Sequence, residues 1–175
     1  MRLLMEPAKV GVLVFVAAIL QVTIFSSVQI LGGTPDVVLL TLMAIALLRG
    51  SIYGASAGFA AGLLVDTANL ATLGVTSLLL TIAGYWIGRY GETTGRDRGH
   101  APFLSVAVVT FLYAYGVLLV EFMLGERAPA GAVMRSLPST IVMNLVLTAP
   151  VYALVRFLLR PRERADYATE VQLLG

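Results

Sequence analysis

Hydrophobic positions along the chain fall into six long runs separated by short polar stretches. The first, Val10 to Leu31, is broken only by Gln21, Thr23, Ser26, Ser27 and Gln29. The second, Val37 to Leu48, lies between Pro35–Asp36 and Arg49–Gly50, and the third, Ile52 to Val65, ends at Asp66. A fourth runs from Leu73 to Ile87 before Gly88–Arg89, a fifth from Phe103 to Leu124 with Glu121 inside it, and a sixth from Thr140 to Leu159 with Arg156 inside it. A bilayer core about 30 Å thick needs roughly 20 apolar residues at 1.5 Å each. The runs therefore predict an all-α membrane protein: one six-transmembrane-helix bundle spanning 1–175, with helices over 8–31, 35–49, 51–66, 73–89, 103–124 and 139–160. Runs two to four are near the lower length limit. Either each is a short span helped by local bilayer thinning, or runs two and three form one re-entrant hairpin, which must then be buried in protein or line water.

Composition supports the lipid reading. Hydrophobic residues make up 58% and charged residues 13%, with a mean hydropathy of +0.89, whereas soluble domains carry about 25% charge. The N-terminal run, at about 20 residues, exceeds the roughly 7–15-residue core of a signal peptide and has no A-x-A-like site after it, so it reads as an uncleaved first helix. Basic residues set the orientation. With the N-terminus inside, Arg2, Lys9, Arg49, Arg89, Arg96, Arg98, Arg156, Arg160, Arg162 and Arg164 are cytoplasmic, leaving only Arg127 and Arg135 of the 12 outside. That bias predicts an inner-membrane protein with both termini in the cytoplasm. Tyr85, Trp86 and Tyr90 fit aromatic anchors at the cytoplasmic interface, and Arg156 and Arg160 can snorkel to the same surface.

Few residues suit chemistry. Cysteine is absent, which removes thiol nucleophiles and thiolate metal sites. The single histidine, His100, sits in a charged loop and reads as solvated. No phosphate-binding loop, zinc-protease motif or serine elbow occurs, and basic residues along membrane edges give no support for nucleic-acid binding. The expectation is a non-enzyme with no cofactor and no bound metal.

What remains is packing and a few polar positions. Gly54, Gly58, Gly62 and Asp66 recur at steps of four, which puts them on one helix stripe, and Gly84 and Gly88 form a second small pair. Small residues so spaced let backbones approach in lipid. The neighbour is either a helix of this chain or a partner. Asp66 is either an anchor that fixes a turn or faces a cavity, or a solvated loop acid. Pro35–Asp36 is a helix-start signal, because proline suits the first helical position and an acid complements the helix dipole. Gln21 and Asn144 lie near helix middles and need partners inside the bundle, as interhelical glue or as ligand contacts. Glu121, near the outer end of the fifth helix, snorkels or faces a cavity.

The stretch from Pro35 to Arg89 resembles the core of the MreD family of bacterial rod shape-determining membrane proteins. The resemblance rests on Pro35–Asp36 before an apolar helix, on Gly54, Gly58 and Phe59, on Asp66, on Leu73–Gly74, and on Gly84–Tyr85 with Gly88–Arg89. Gln21 and Asn144 ahead of Pro150–Tyr152 also fit. The resemblance implies a non-catalytic part of the cell-elongation complex that organises lateral peptidoglycan synthesis. Its implied partners are MreC, and with it MreB and the RodA–penicillin-binding-protein synthase. It also implies a fold similar to the substrate-binding S components of energy-coupling-factor vitamin transporters, and such an S component is the alternative function. A structural scaffold with no defined site is the third class.

Overall fold

The computed structural model describes residues 2–29, 32–94, 101–125 and 130–159. His100, Arg96, Arg98, Arg127, Arg160, Arg162 and Arg164 lie outside the described residues. Six α-helices occur within them: α1 (Arg2–Thr23), α2 (Val37–Arg49), α3 (Ser51–Ala68), α4 (Val75–Thr94), α5 (Ala101–Met123) and α6 (Ala130–Leu158), with a 3-10 turn at Phe25–Ser27. Three of these stretches, Pro7–Ser27, Ala101–Met123 and Ala130–Leu158, are long and apolar enough to cross a membrane.

Four helix ends depart from the hydrophobic pattern by more than two residues: α1 starts at Arg2 and stops at Thr23, α4 runs on to Thr94, and α6 begins at Ala130. Although the apolar run continues to Leu31, α1 stops at Thr23. There the hydroxyls of Thr23, Ser26 and Ser27 donate to the carbonyls of Ile19, Val22 and Ile24. Such local bonds offer the backbone an alternative to helix while hiding the polar groups from lipid. At the other end of the chain, α6 begins at Ala130, well before 139, because Arg135, Ser136 and Pro138 interrupt hydrophobicity without interrupting the helix. Its 29 residues reach about 43 Å, more than a bilayer core.

The chain runs up and down, so that α1, α3 and α5 finish at one end of the bundle, here the distal end, where α2, α4 and α6 begin. The centre is occupied by α2. It packs against all five other helices, while α1, α3, α4, α5 and α6 form a ring around it in that order. Every residue from Val37 to Leu47 is buried. A helix that is apolar on all sides suits either a core or a lipid setting; here the other five helices encase it, and encasement explains how 13 residues, about 20 Å of helix, suffice. The length limit applies to helices that touch lipid. The exterior is apolar instead, with Phe15, Ile52, Trp86, Phe122, Val146 and Phe157 exposed, as lipid contact requires.

The tightest seam joins α3 to α4. A side-chain carbon added at Gly54 would strike the carbonyl of Gly84, at Gly58 that of Leu80, and at Gly62 the backbone of Ser77. At Gly84 it would strike the Gly54 carbonyl, and at Gly88 it would come within 2.5 Å of Ser51 Cα. Both sets of small residues thus face one another within the chain. Gly50 alone joins α2 to α3, with φ of 97°, a left-handed conformation that glycine adopts without penalty.

Candidate functional site

Three helix N-termini meet side chains brought from other elements, and each solves the same problem. The first N–H groups of a helix have no intrahelical acceptor, and in lipid there is no water to accept from them.

At α2 the solution is a clamp on the Pro35–Asp36 turn. Asp36 Oδ1 accepts from the Leu39 N–H at 2.9 Å, which is ordinary N-capping. From α1, Gln21 Oε1 accepts from the Val37 N–H at 2.8 Å, and its Nε2 donates to the Pro35 carbonyl at 3.1 Å. From α6, Asn144 Oδ1 accepts from the Asp36 N–H at 2.9 Å, while Nδ2 donates to Thr110 Oγ1 at 3.1 Å. Thr148, also fully buried, donates to the Asn144 carbonyl at 2.7 Å. Each amide uses both its oxygen and its nitrogen, and together they tie α1, α2, α5 and α6 at one level. The clamp also closes the seam between α1 and α6, which pack on each other less than the other ring neighbours do.

At α4 the acceptor is Asp66, at 1% exposure, from the last turn of α3. Its Oδ2 accepts from the Gly74 N–H at 2.8 Å and its Oδ1 from the Thr76 N–H at 3.3 Å. Of the two readings open for this acid, the buried anchor describes its geometry. At α3 the acceptor is Glu92, beyond the apolar part of α4. Its Oε1 accepts from the Ser51 N–H at 2.8 Å and from the Ser51 hydroxyl at 3.0 Å. Oε2 pairs with Arg89 at 3.4 Å. The Ser51 N–H and hydroxyl, and then Arg89, hold the Glu92 carboxyl below the ordinary glutamate value.

A cavity of about 170 Å³ opens beside the start of α2, lined by Gln21, Ser26, Asp36, Asn69, Thr76 and Tyr113 with apolar walls from Val22, Val38, Val65 and Leu80. Its origin is the shortness of α2: the ring helices continue past the level at which the central helix begins. Tyr113 lines the cavity beside Thr76 and lies within electrostatic reach of both Asp36 and Asp66.

The distal end thus gathers Gln21, Asp36, Asp66 and Asn144 into one polar layer. Glu121 is half-buried near the end of α5 and does not line the cavity. The anchors Tyr85 and Trp86 sit exposed at the opposite end, edge-to-face with ring centroids 5.9 Å apart.

The family model for rod shape-determining protein MreD matches residues 4–162, which takes in every helix and the whole polar layer. The chain belongs to the MreD family. It is accordingly a rod shape-determining membrane protein. No curated protein and no solved structure matches the chain, so the polar layer of this MreD family member is read from its own geometry. That geometry adds residues the pattern did not single out: Glu92, Ser51, Thr110, Thr148 and Tyr113. A lone hydroxyl in an aliphatic run, as at Thr110, is the signal that could have found one of them. Gly33 is a further addition. As part of a loop it reads as tolerant, yet it is buried, and an added side-chain carbon there would lie 2.6 Å from the Thr140 N.

Proposed function

We propose that the protein is a non-catalytic scaffold of the bacterial cell-elongation complex, resident in the inner membrane with both termini in the cytoplasm. In this reading it holds MreC, and with it the RodA–penicillin-binding-protein synthase and MreB, around the site of lateral peptidoglycan synthesis. The observation that carries the reading is where the polar side chains are spent. Gln21, Asp66, Asn144, Thr148 and Glu92 all bond to backbone of this chain. They shape the bundle, and no nucleophile–base pair is among them. The connections between the described helices are short, too short for a standard interface of roughly 800 Å² per partner. A partner therefore has to meet the apolar helix faces, which fits the membrane anchor of a single-pass protein of the MreC type.

The alternative, a vitamin-binding S component, has less support. The distal cavity, at about 170 Å³, is below the roughly 300–1,000 Å³ of pockets that enclose small molecules.

Co-isolation tests the reading. The purified protein should retain MreC through MreC's membrane-anchor region in mild detergent, and its melting temperature should rise with that partner, since binding only the folded state stabilises it. A thermal shift with a vitamin and no retention of MreC would overturn the scaffold in favour of the S component.

A further inference from the structure

We propose that the distal cavity is a receptor for one small cation of the ammonium type, held by Asp36. The proposal goes beyond the scaffold reading and stands independently of it.

Charge decides the class of ligand. Asp36 and Tyr113 face the cavity with Gln21, Ser26, Asn69 and Thr76, and no basic residue lines it among the described residues. The capping bond engages Asp36 through Oδ1 with the Leu39 N–H, and among the described residues no basic side chain lines the cavity beside it. A carboxylate at the edge of an apolar bundle is costly unless it is paired or neutralised by a proton. The dipole of α2 offsets part of that cost, and a cation in the cavity offsets the rest. Asp66, the second acid within reach of Tyr113, adds negative potential and no competing positive charge. The two carboxylates oppose an anion or an acidic ligand.

Size and lining narrow the choice further. At about 170 Å³ the space holds about five waters, taking roughly 30 Å³ each. It therefore takes a group rather than a large molecule. Neutral groups with oxygens that can accept line the cavity with the acid: the Asn69 amide and the hydroxyls of Ser26, Thr76 and Tyr113. A protonated amine brings three N–H donors and no acceptor, which matches an acid flanked by acceptors. The apolar walls of Val22, Val65 and Leu80 suit the short alkyl stem that carries such an amine.

The test uses the full chain in detergent, titrated with n-propylammonium chloride against sodium chloride at matched ionic strength. The expected result is a saturable rise in melting temperature with the amine only. Asp36→Asn should abolish that rise, because asparagine caps a helix about as well as aspartate while removing the charge. A second variant keeps the test decisive should Asp36→Asn fail to fold. Asn69→Lys, on the exposed rim, places a tethered ammonium at the cavity mouth. It should melt above wild type and lose its response to the amine. A non-saturable response, an equal response in Asp36→Asn, or an unchanged response in Asn69→Lys would each overturn the proposal and leave a water-filled cavity only.

Discussion

Asp66 and Glu92 cap each other's helices from opposite ends of the α3–α4 hairpin. The acid that ends α3 receives the first N–H groups of α4, and the acid near the end of α4 receives the first N–H of α3. Between them the two backbones touch along Gly54, Gly58, Gly62, Gly84 and Gly88. The pair is fastened at both ends and in close contact throughout, so its register has no freedom to slip.

Removing one fastening should be costly. Asp66→Ala leaves the half-buried N–H groups of Gly74 and Thr76 without their acceptor, a loss of about 1–3 kcal/mol. Asp66→Asn keeps an acceptor and should lose less. Denaturant unfolding in detergent measures both; an alanine variant as stable as wild type would mean that the cap contributes nothing.

The other fastening should respond to acid. A carboxyl held below its ordinary value contributes stability that is fully present above the unfolded value, 4.5 for glutamate, and is lost as pH falls through the lower folded value. The protein should therefore weaken in acid below that point. Glu92→Gln should show a shallower loss over the same range, read from melting temperature against pH, and identical profiles would rule out Glu92 as a source of the acid sensitivity.

Glycines should differ in sign. Gly58→Ala drives a methyl into the Leu80 carbonyl, and overpacking of this kind costs roughly 1–3 kcal/mol. Gly33→Ala should also destabilise, through Thr140 and Ser139. Gly11, in α1, has nothing within 4 Å of the added carbon. There alanine should be neutral or stabilise by about 0.5–1 kcal/mol, because glycine is the poorer helix former. Equal losses at Gly11 and Gly58 would contradict the α3–α4 seam.

Orientation can be read by single cysteines, since the chain has none. A cysteine at Thr94 should resist an impermeant thiol reagent in intact cells, and one at Ala130, at the distal start of α6, should react. The reverse pattern would invert the proposed topology.

Hydrophobic runs were enough to read all six helices, because length and apolarity are properties of a segment. They misplaced the ends of α1, α4 and α6: local hydroxyl bonds stop α1 inside an apolar run, while polar residues fail to stop α4 at Arg89 or to delay the start of α6. The glycine stripe was legible as a contact face from its spacing; its partner, α4, was not, because spacing carries no information about what lies opposite. Gln21 and Asn144 were legible as needing partners. Their shared target, the backbone of Pro35, Asp36 and Val37, depends on a turn that brings together residues distant in the chain. Glu92 went unread because an acid just past a glycine-rich helix exit looks solvated until Ser51 is seen against it.

The central position of α2 also orders events during synthesis. When α1 to α3 have left the ribosome, α2 has only two of its five neighbours, and its open flanks face lipid, which an apolar helix tolerates. Its start does not share that tolerance: Gln21 is already present to grip Pro35 and Val37, but Asn144 arrives on the last helix. The same helix brings the Leu159 carbonyl, which accepts from the Arg49 guanidinium at 2.9 Å at the other end of α2. The last of the six described helices to be made is thus the one that locks the first ones in place. A nascent chain stopped before α6 would carry a core helix held at neither end on that side.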